Sequence, residues 1–218
     1  MLVVDQFSNP NRPEVAGLVL AGGLSRRMHG PNKAELELGG QSLVKRAISR
    51  LSSQVQLCLV NGPDKLDSQA LTVPRIADSL AGNRGPLAGI LAAMEWLETR
   101  HSEISWLVTV PCDTPFFPFS LVECLLTEQD VYPQVELILA RSADRLHPVV
   151  GLWSVRLRKR IAEAMSQDSV PRLLDWINHL QFRVVDFEAR EYDPFFNINR
   201  PEDYDLALQM RKSRPELA

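Results

Sequence analysis

The residue types best able to hold phosphate stand together in VAGLVLAGGLSRRMHGPNK, residues 15–33. Gly22 and Gly23 end an apolar run, and two adjacent glycines let the backbone turn sharply and bring its N–H groups close to an anion with no Cβ in the way. Arg26 adds a planar fork matched to phosphate oxygens, and Lys33 a compact, mobile point charge. The stretch fits neither G-x-x-x-x-G-K-[ST] nor G-x-G-x-x-G, so a plain turn after a strand is the competing reading of the glycine pair. Farther along, Asp113 in Pro-Cys-Asp-Thr-Pro follows a second apolar run. A carboxylate there could hold Mg²⁺ against substrate phosphates through one or two oxygens. Equally, Asp113 or Thr114 could cap a helix begun by Pro115.

Other polar residues fall at the ends of apolar runs. Asn61 and Asp78 could read a base or ribose through directional donors and acceptors, or could be turn formers. Asn197 and Asn199 flank Ile198 in FFNINRPED, and a period of two puts both amides on one side of an extended segment; Asn199 is also placed to help cap a helix begun by Pro201. His147 reads as a hydrogen bonder at the start of a strand rather than a metal ligand, since no second ligand has a suitable spacing to it. Cys112 reads as a packed side chain, and Asp203-Tyr204-Asp205 as the solvated face of a helix.

These residues need a frame that brings them together, and the hydrophobic pattern supplies one. Strands are expected at 15–20, 55–61, 71–78, 104–110, 135–140, 147–153 and 182–187. Helices are expected after Ser42, over 87–96, through 121–126, over 155–165 and 171–180, and from Pro201 to about Lys212; residues 64–71 are weakly helical. Pro74 assigns the third strand to an edge, because proline cannot donate to a ladder. Repeated strand–helix alternation with apolar strands predicts a single-domain, three-layer α/β fold, a doubly wound and mainly parallel sheet over residues 15–218 preceded by a flexible leader at 1–14. Ligands of such sheets bind beyond the carboxyl ends of the strands. Gly22-Gly23, Asn61, Asp78 and Asp113 all fall there.

Composition narrows the function classes. At 218 residues, 45% hydrophobic and 23% charged, the chain is of ordinary globular make-up. With 24 basic and 27 acidic side chains the net charge is −3, so no global basic field points to nucleic acid or an anionic membrane. No apolar run approaches the ~20 residues of a membrane span, and the first residues lack a signal-peptide pattern, so a cytoplasmic protein is expected. Cys58, Cys112 and Cys124 show no C-x-x-C spacing and are expected to be reduced thiols.

Taken together, LAGGLSRRM…NK, LELGGQSLV, ADSLAGNRGPLAGI, VPCDTPFFP, HPVVGLW and FFNINRPED resemble, in order, the motifs of the molybdenum cofactor guanylyltransferases of MobA type. That resemblance implies a Rossmann-like nucleotidyltransferase fold. It also implies transfer of GMP from GTP to the terminal phosphate of molybdopterin with release of pyrophosphate. It assigns Leu20, Ala21, Gly22 and Gly23 to the nucleotide, Lys33 to its phosphates, Asn61 and Asp78 to the nucleoside side, Asp113 to nucleotide and Mg²⁺, and Asn197 and Asn199 to the molybdopterin side. Arg26, Lys33 and Asp113 are the expected catalytic residues, with Mg²⁺ as cofactor. GTP, molybdopterin and molybdenum-insertion or molybdoenzyme acceptor proteins are the expected partners. His29 and Asn32 depart from the family's usual glycine and aspartate. A molybdopterin cytidylyltransferase, a sugar-phosphate nucleotidyltransferase and, from another class, a non-catalytic nucleotide-binding adaptor are the alternatives; Ala-Gly-Gly at 21–23 and Cys-Asp-Thr-Pro at 112–115 favour the guanylyl reading through resemblance.

Overall fold

A computed structural model of the chain describes residues 14–22, 33–63, 73–78, 85–167 and 170–214. Strand β1 (Val15–Leu20) is buried at every position. Its alternate side chains enter two different cores. Val15 and Val19 pack with Val44, Ala47 and Leu51 of helix α1 (Leu43–Ser52) and with Leu121, Val122 and Leu125 of α3 (Leu121–Val131). Ala16, Leu18 and Leu20 pack with α2 (Pro86–Arg100), Ile161 and Met165 of α4 (Arg158–Met165) and Ile177 of α5 (Leu173–Ile177). A strand covered on both faces must be apolar throughout, which is why it reads as a continuous run rather than an alternating one.

The remaining strands are β2 (Leu57–Asn61), β3 (Arg75–Ile76), β4 (Trp106–Pro111), β5 (Leu137–Ser142), β6 (Arg145–Ser154) and β7 (Arg183–Asp186). They form one seven-stranded sheet in the order β3-β2-β1-β4-β6-β5-β7. β3, next to Pro74, is an edge strand as the proline requires. The chain steps outward from β1 to β2 and β3, then returns to place β4 parallel to β1 on its other side. That reversal makes the cleft beyond β1 and β4 the switch point of the sheet.

The sheet is mainly parallel, as expected, with one reversal that the sequence pattern does not show. β6 runs antiparallel to both β4 and β5. The β5–β6 hairpin closes through Ala143 (φ 46°) and Asp144 (φ 59°), both left-handed, the geometry of a two-residue turn. Register shifts between Leu139, opposite Gly151, and Ala140, opposite His147, and this irregularity accommodates Pro148. Helix α5 is shorter than the expected 171–180, and residues 155–157 form a 3₁₀ turn ahead of α4. Residues 64–71, read as weakly helical, and most of the 1–14 leader lie outside the described residues. No helix among the described residues is long and apolar enough to cross a membrane.

A third core joins Leu38 and Leu43 to Phe116, Ile198, Ala207 and Met210, seating α6 (Pro201–Ser213) beside the start of α1. Ser42 caps α1 as expected, its hydroxyl accepting the Lys45 N–H at 3.4 Å. Gly17 lets α1 sit close on β1, for a Cβ there would lie 2.6 Å from Leu51 Cδ2.

Inside the sheet, Thr109 donates its hydroxyl to Val149 O at 2.6 Å and accepts from Trp153 Nε1 at 2.9 Å, and neither Thr109 nor Trp153 is exposed. Thr109→Val strips the buried Trp153 N–H and the half-buried Val149 carbonyl of this partner. It is expected to lower unfolding stability by about 1–3 kcal/mol in urea titrations while far-ultraviolet circular dichroism keeps its shape.

Candidate active site at the switch point

The end of β1 is clasped from both sides. Ala21 N–H donates to Asn61 O at 2.7 Å, and Cys112 N–H donates to Leu20 O at 3.0 Å. Leu20, Ala21 and Gly22 therefore lie between the carboxyl ends of β2 and β4, with Gly22 exposed. On the β2 side Asn61, 5% exposed, donates its amide to Ile76 O at 3.1 Å and to Asp78 Oδ1 at 2.8 Å. Asp78 follows β3, so the amide and carboxylate expected to work together are in contact. Gly89 of α2 makes this possible: a Cβ there would lie 2.3 Å from Asn61 Oδ1.

The β4 side carries the charged centre. Lys33, in a 3₁₀ turn spanning Lys33–Glu35, places Nζ 2.5 Å from Asp113 Oδ2, 2.9 Å from Asn199 Oδ1 and 3.3 Å from Asn197 Oδ1. One ammonium with three donors thus gathers three residues, the farthest 166 positions from Lys33 along the chain. The Lys33 and Asp113 side chains are only 15% and 19% exposed, so solvent screens the pair weakly. Asp113 Oδ1 is buried and receives no hydrogen bond among the described residues.

Several ties hold these groups. The Asp113 carbonyl accepts Ile198 N–H at 2.9 Å, fixing the extended segment from which Asn197 and Asn199 reach the same cation, as their period-two spacing anticipates. Asn199 does not spend its side chain on the helix: Asp203 Oδ2 accepts both Asn199 N–H and Arg200 N–H at 2.8 Å and caps α6. Asp203, read in sequence as part of a solvated face, is therefore the cap, while Asp205 is exposed. The segment after Asp113 is a series of turns, and α3 starts only at Leu121, so Asp113 and Thr114 do not cap a helix begun by Pro115. That segment is instead gripped by α1 and the turn that follows it. Arg50 donates to Phe117 O and lies 4.0 Å over the Phe119 ring, and Gln54 donates to Pro118 O at 3.2 Å while accepting Val122 N–H at 3.1 Å. Burial, with Arg46 close by, pulls the Arg50 pKa down to about 10.

Gly23 and Arg26, and with them Arg27, His29 and Asn32, lie outside the described residues. Cys112 is buried, and burial, then Asp113, pushes its thiol well above the usual range, so it is packed rather than nucleophilic. Sequence reasoning passed over Gly89, Arg50 and Gln54 as site-forming residues. Only a glycine inside an apolar helix gave a signal, that of close approach.

The switch point, where Gly22 at the end of β1 stands with a lysine, two carboxylates and three amides, defines a nucleotide-handling α/β protein. Residues 17–182 match the family described as the MobA-like NTP transferase domain, and the chain belongs to that family. A protein of Rhizobium leguminosarum bv. trifolii named molybdenum cofactor guanylyltransferase is 41% identical over 197 residues, 88% of this chain and 90% of that protein. One of the same name from Rhodopseudomonas palustris is 35% identical over 207 residues, 94% of this chain and 98% of that protein. The crystal structure of molybdopterin-guanine dinucleotide biosynthesis protein A from Archaeoglobus fulgidus shares the fold, with a TM-score of 0.71, 24% identity and 91% and 100% coverage of the two chains.

Gly89→Ala is expected to push the Asn61 amide off Asp78. A loss of about 1–3 kcal/mol of stability, together with a displaced Asn61 side-chain amide signal in NMR spectra, checks this.

Proposed function

We propose that this protein transfers GMP from GTP to the terminal phosphate of molybdopterin, forming the guanine dinucleotide and pyrophosphate. The observation that carries the reading is the Lys33 ammonium shared by Asp113, Asn197 and Asn199; in this reading Asp113 serves the nucleotide side and the two amides the acceptor side. The family and the names of relatives at 35–41% identity supply the substrate pair.

In this reading Leu20, Ala21, Gly22 and Gly23 approach the nucleotide, Asn61 and Asp78 hold its nucleoside side, and Arg26 and Lys33 contact phosphate. An oxygen of the acceptor phosphate forms the new bond to the α-phosphorus of GTP as the bond to the β-phosphate oxygen breaks. Both reacting groups are anions, so the protein's task is to align them and offset the charge that develops on the α-phosphate and leaving group. Lys33 supplies a compact cation at that point, and Asn197 and Asn199 orient it.

The residues present also fit a divalent cation. Asp113 has one oxygen on Lys33 and a second, buried, that receives no hydrogen bond among the described residues. No group of three or more His, Cys, Asp or Glu able to hold a metal occurs among those residues. A single carboxylate completed by water and substrate phosphates is the donor set Mg²⁺ accepts. Asp113 would hold it, and it would supply further charge neutralisation to the phosphates.

The test offers the purified protein molybdopterin with Mg-GTP or Mg-CTP and identifies the product by mass spectrometry. Guanine dinucleotide and one equivalent of pyrophosphate are expected from GTP. Cytosine dinucleotide in preference, or no dinucleotide from either, would overturn the assignment.

A further inference from the structure

The hairpin between β5 and β6 carries a polar relay that the chemistry above does not use. Ser142, 2% exposed at the end of β5, donates its hydroxyl to Asp193 Oδ1 at 2.6 Å and lies 2.7 Å from His147 Nε2 on β6. A hydroxyl has one proton, and here it goes to Asp193, so Ser142 accepts from His147 and the imidazole carries its proton on Nε2. Ser142 stands in the middle of the chain and gives its proton to a carboxylate. The arrangement is therefore not that of an activated nucleophile, in which the histidine takes the serine's proton.

The far end of the relay points toward the amide pair. Asp193 Oδ1 also accepts Phe195 N–H at 2.8 Å, and Asp193 O accepts Phe196 N–H at 2.9 Å, closing a tight turn over residues 193–196. Phe195, 2% exposed, packs against the His147 ring at 4.8 Å and edge-on to Phe187 at 5.1 Å. Two residues later comes Asn197, then Ile198, whose N–H is tied to the Asp113 carbonyl. The segment bearing Asn197 and Asn199 is thus pinned in its middle by Asp113, at its far end by Asp203, and ahead of Asn197 by Asp193, and this last pin is held in place by Ser142 and His147.

We infer that Ser142 and Asp193, with His147 orienting the Ser142 hydroxyl, are positioning residues for the acceptor substrate, acting through Asn197 and Asn199. This rests on the guanylyltransferase reading for the identity of the acceptor, while the anchoring itself is a property of the fold. Loss of the Asp193 pin lets the turn relax and moves the amides off Lys33. The nucleoside pocket around Asn61 and Asp78, built on β1, β2 and β3, is left in place, and Lys33 keeps its bond to Asp113.

Steady-state kinetics with Mg-GTP and molybdopterin on Asp193→Ala, Ser142→Ala and Asp193→Asn test this, with NMR of the Asn197 and Asn199 side-chain amides as a readout independent of turnover. Asp193→Asn keeps an oxygen able to accept both hydrogen bonds, so it serves as the conservative rescue. The alanine variants are expected to raise KM for the acceptor about ten- to a hundredfold, the scale of a small misplacement, with a clearly smaller change in KM for GTP because Lys33 keeps its bond to Asp113, and to displace both amide signals. Asp193→Asn is expected to restore both. Parallel rises in the two KM values, an asparagine variant as impaired as the alanine one, or amide signals unmoved in the alanine variants would overturn the inference. If the wild type forms no dinucleotide, the substrate assignment falls and the amide signals alone decide the positioning role.

Discussion

The site depends on one partly buried ion pair, Lys33 with Asp113, closed at 2.5 Å and shared with two amide oxygens. An ammonium withdrawn from water needs oxygens around it, and a carboxylate withdrawn from water needs donors. Each of these four residues meets a requirement of another. The arrangement is compact because Lys33 has three donors and no acceptor, so the three oxygens can converge on it without competing among themselves.

The sheet makes that convergence possible. β1 and β4 are adjacent and parallel only because the chain reverses its order of strand addition after β3, leaving the ends of β1 and β4 side by side. Close packing then sets the distances. Gly17 admits α1 to β1, Gly89 admits α2 to Asn61, and Arg50 on α1 with Gln54 in the turn just after it secures the turns that follow Asp113. Lys33 enters just ahead of α1, and Asn197 and Asn199 just ahead of α6, which the core around Phe116 and Ile198 holds against the start of α1.

Much of this was legible in the sequence because it follows from local rules. β1 declares itself by a continuous apolar run, β3 by its proline as an edge, and the amide pair by a period of two. The placement of Asp113 after β4 was legible as well, but not whether it capped a helix. That depended on Pro115 starting one, and the buried Phe116 and Phe117 instead draw the segment into the cores through a series of turns. The antiparallel β6 was hidden because its turn uses Ala143 and Asp144 in left-handed conformation without the usual glycine. The Ser142–Asp193 bond was hidden for a different reason: it spans 51 positions, and nothing in the neighbourhood of either residue signals the other.

The dependence of the site on the Lys33–Asp113 pair is tested most directly by a double-mutant cycle on folding stability with Lys33→Met, Asp113→Asn and the double variant. Each single change leaves a partly buried group facing a missing partner, and the second change relieves it. The double variant is therefore expected to be more stable than the sum of the single effects allows, with a coupling of about 1–3 kcal/mol. Additive effects, with the double variant losing the sum of the two single losses, would contradict a site built on that pair.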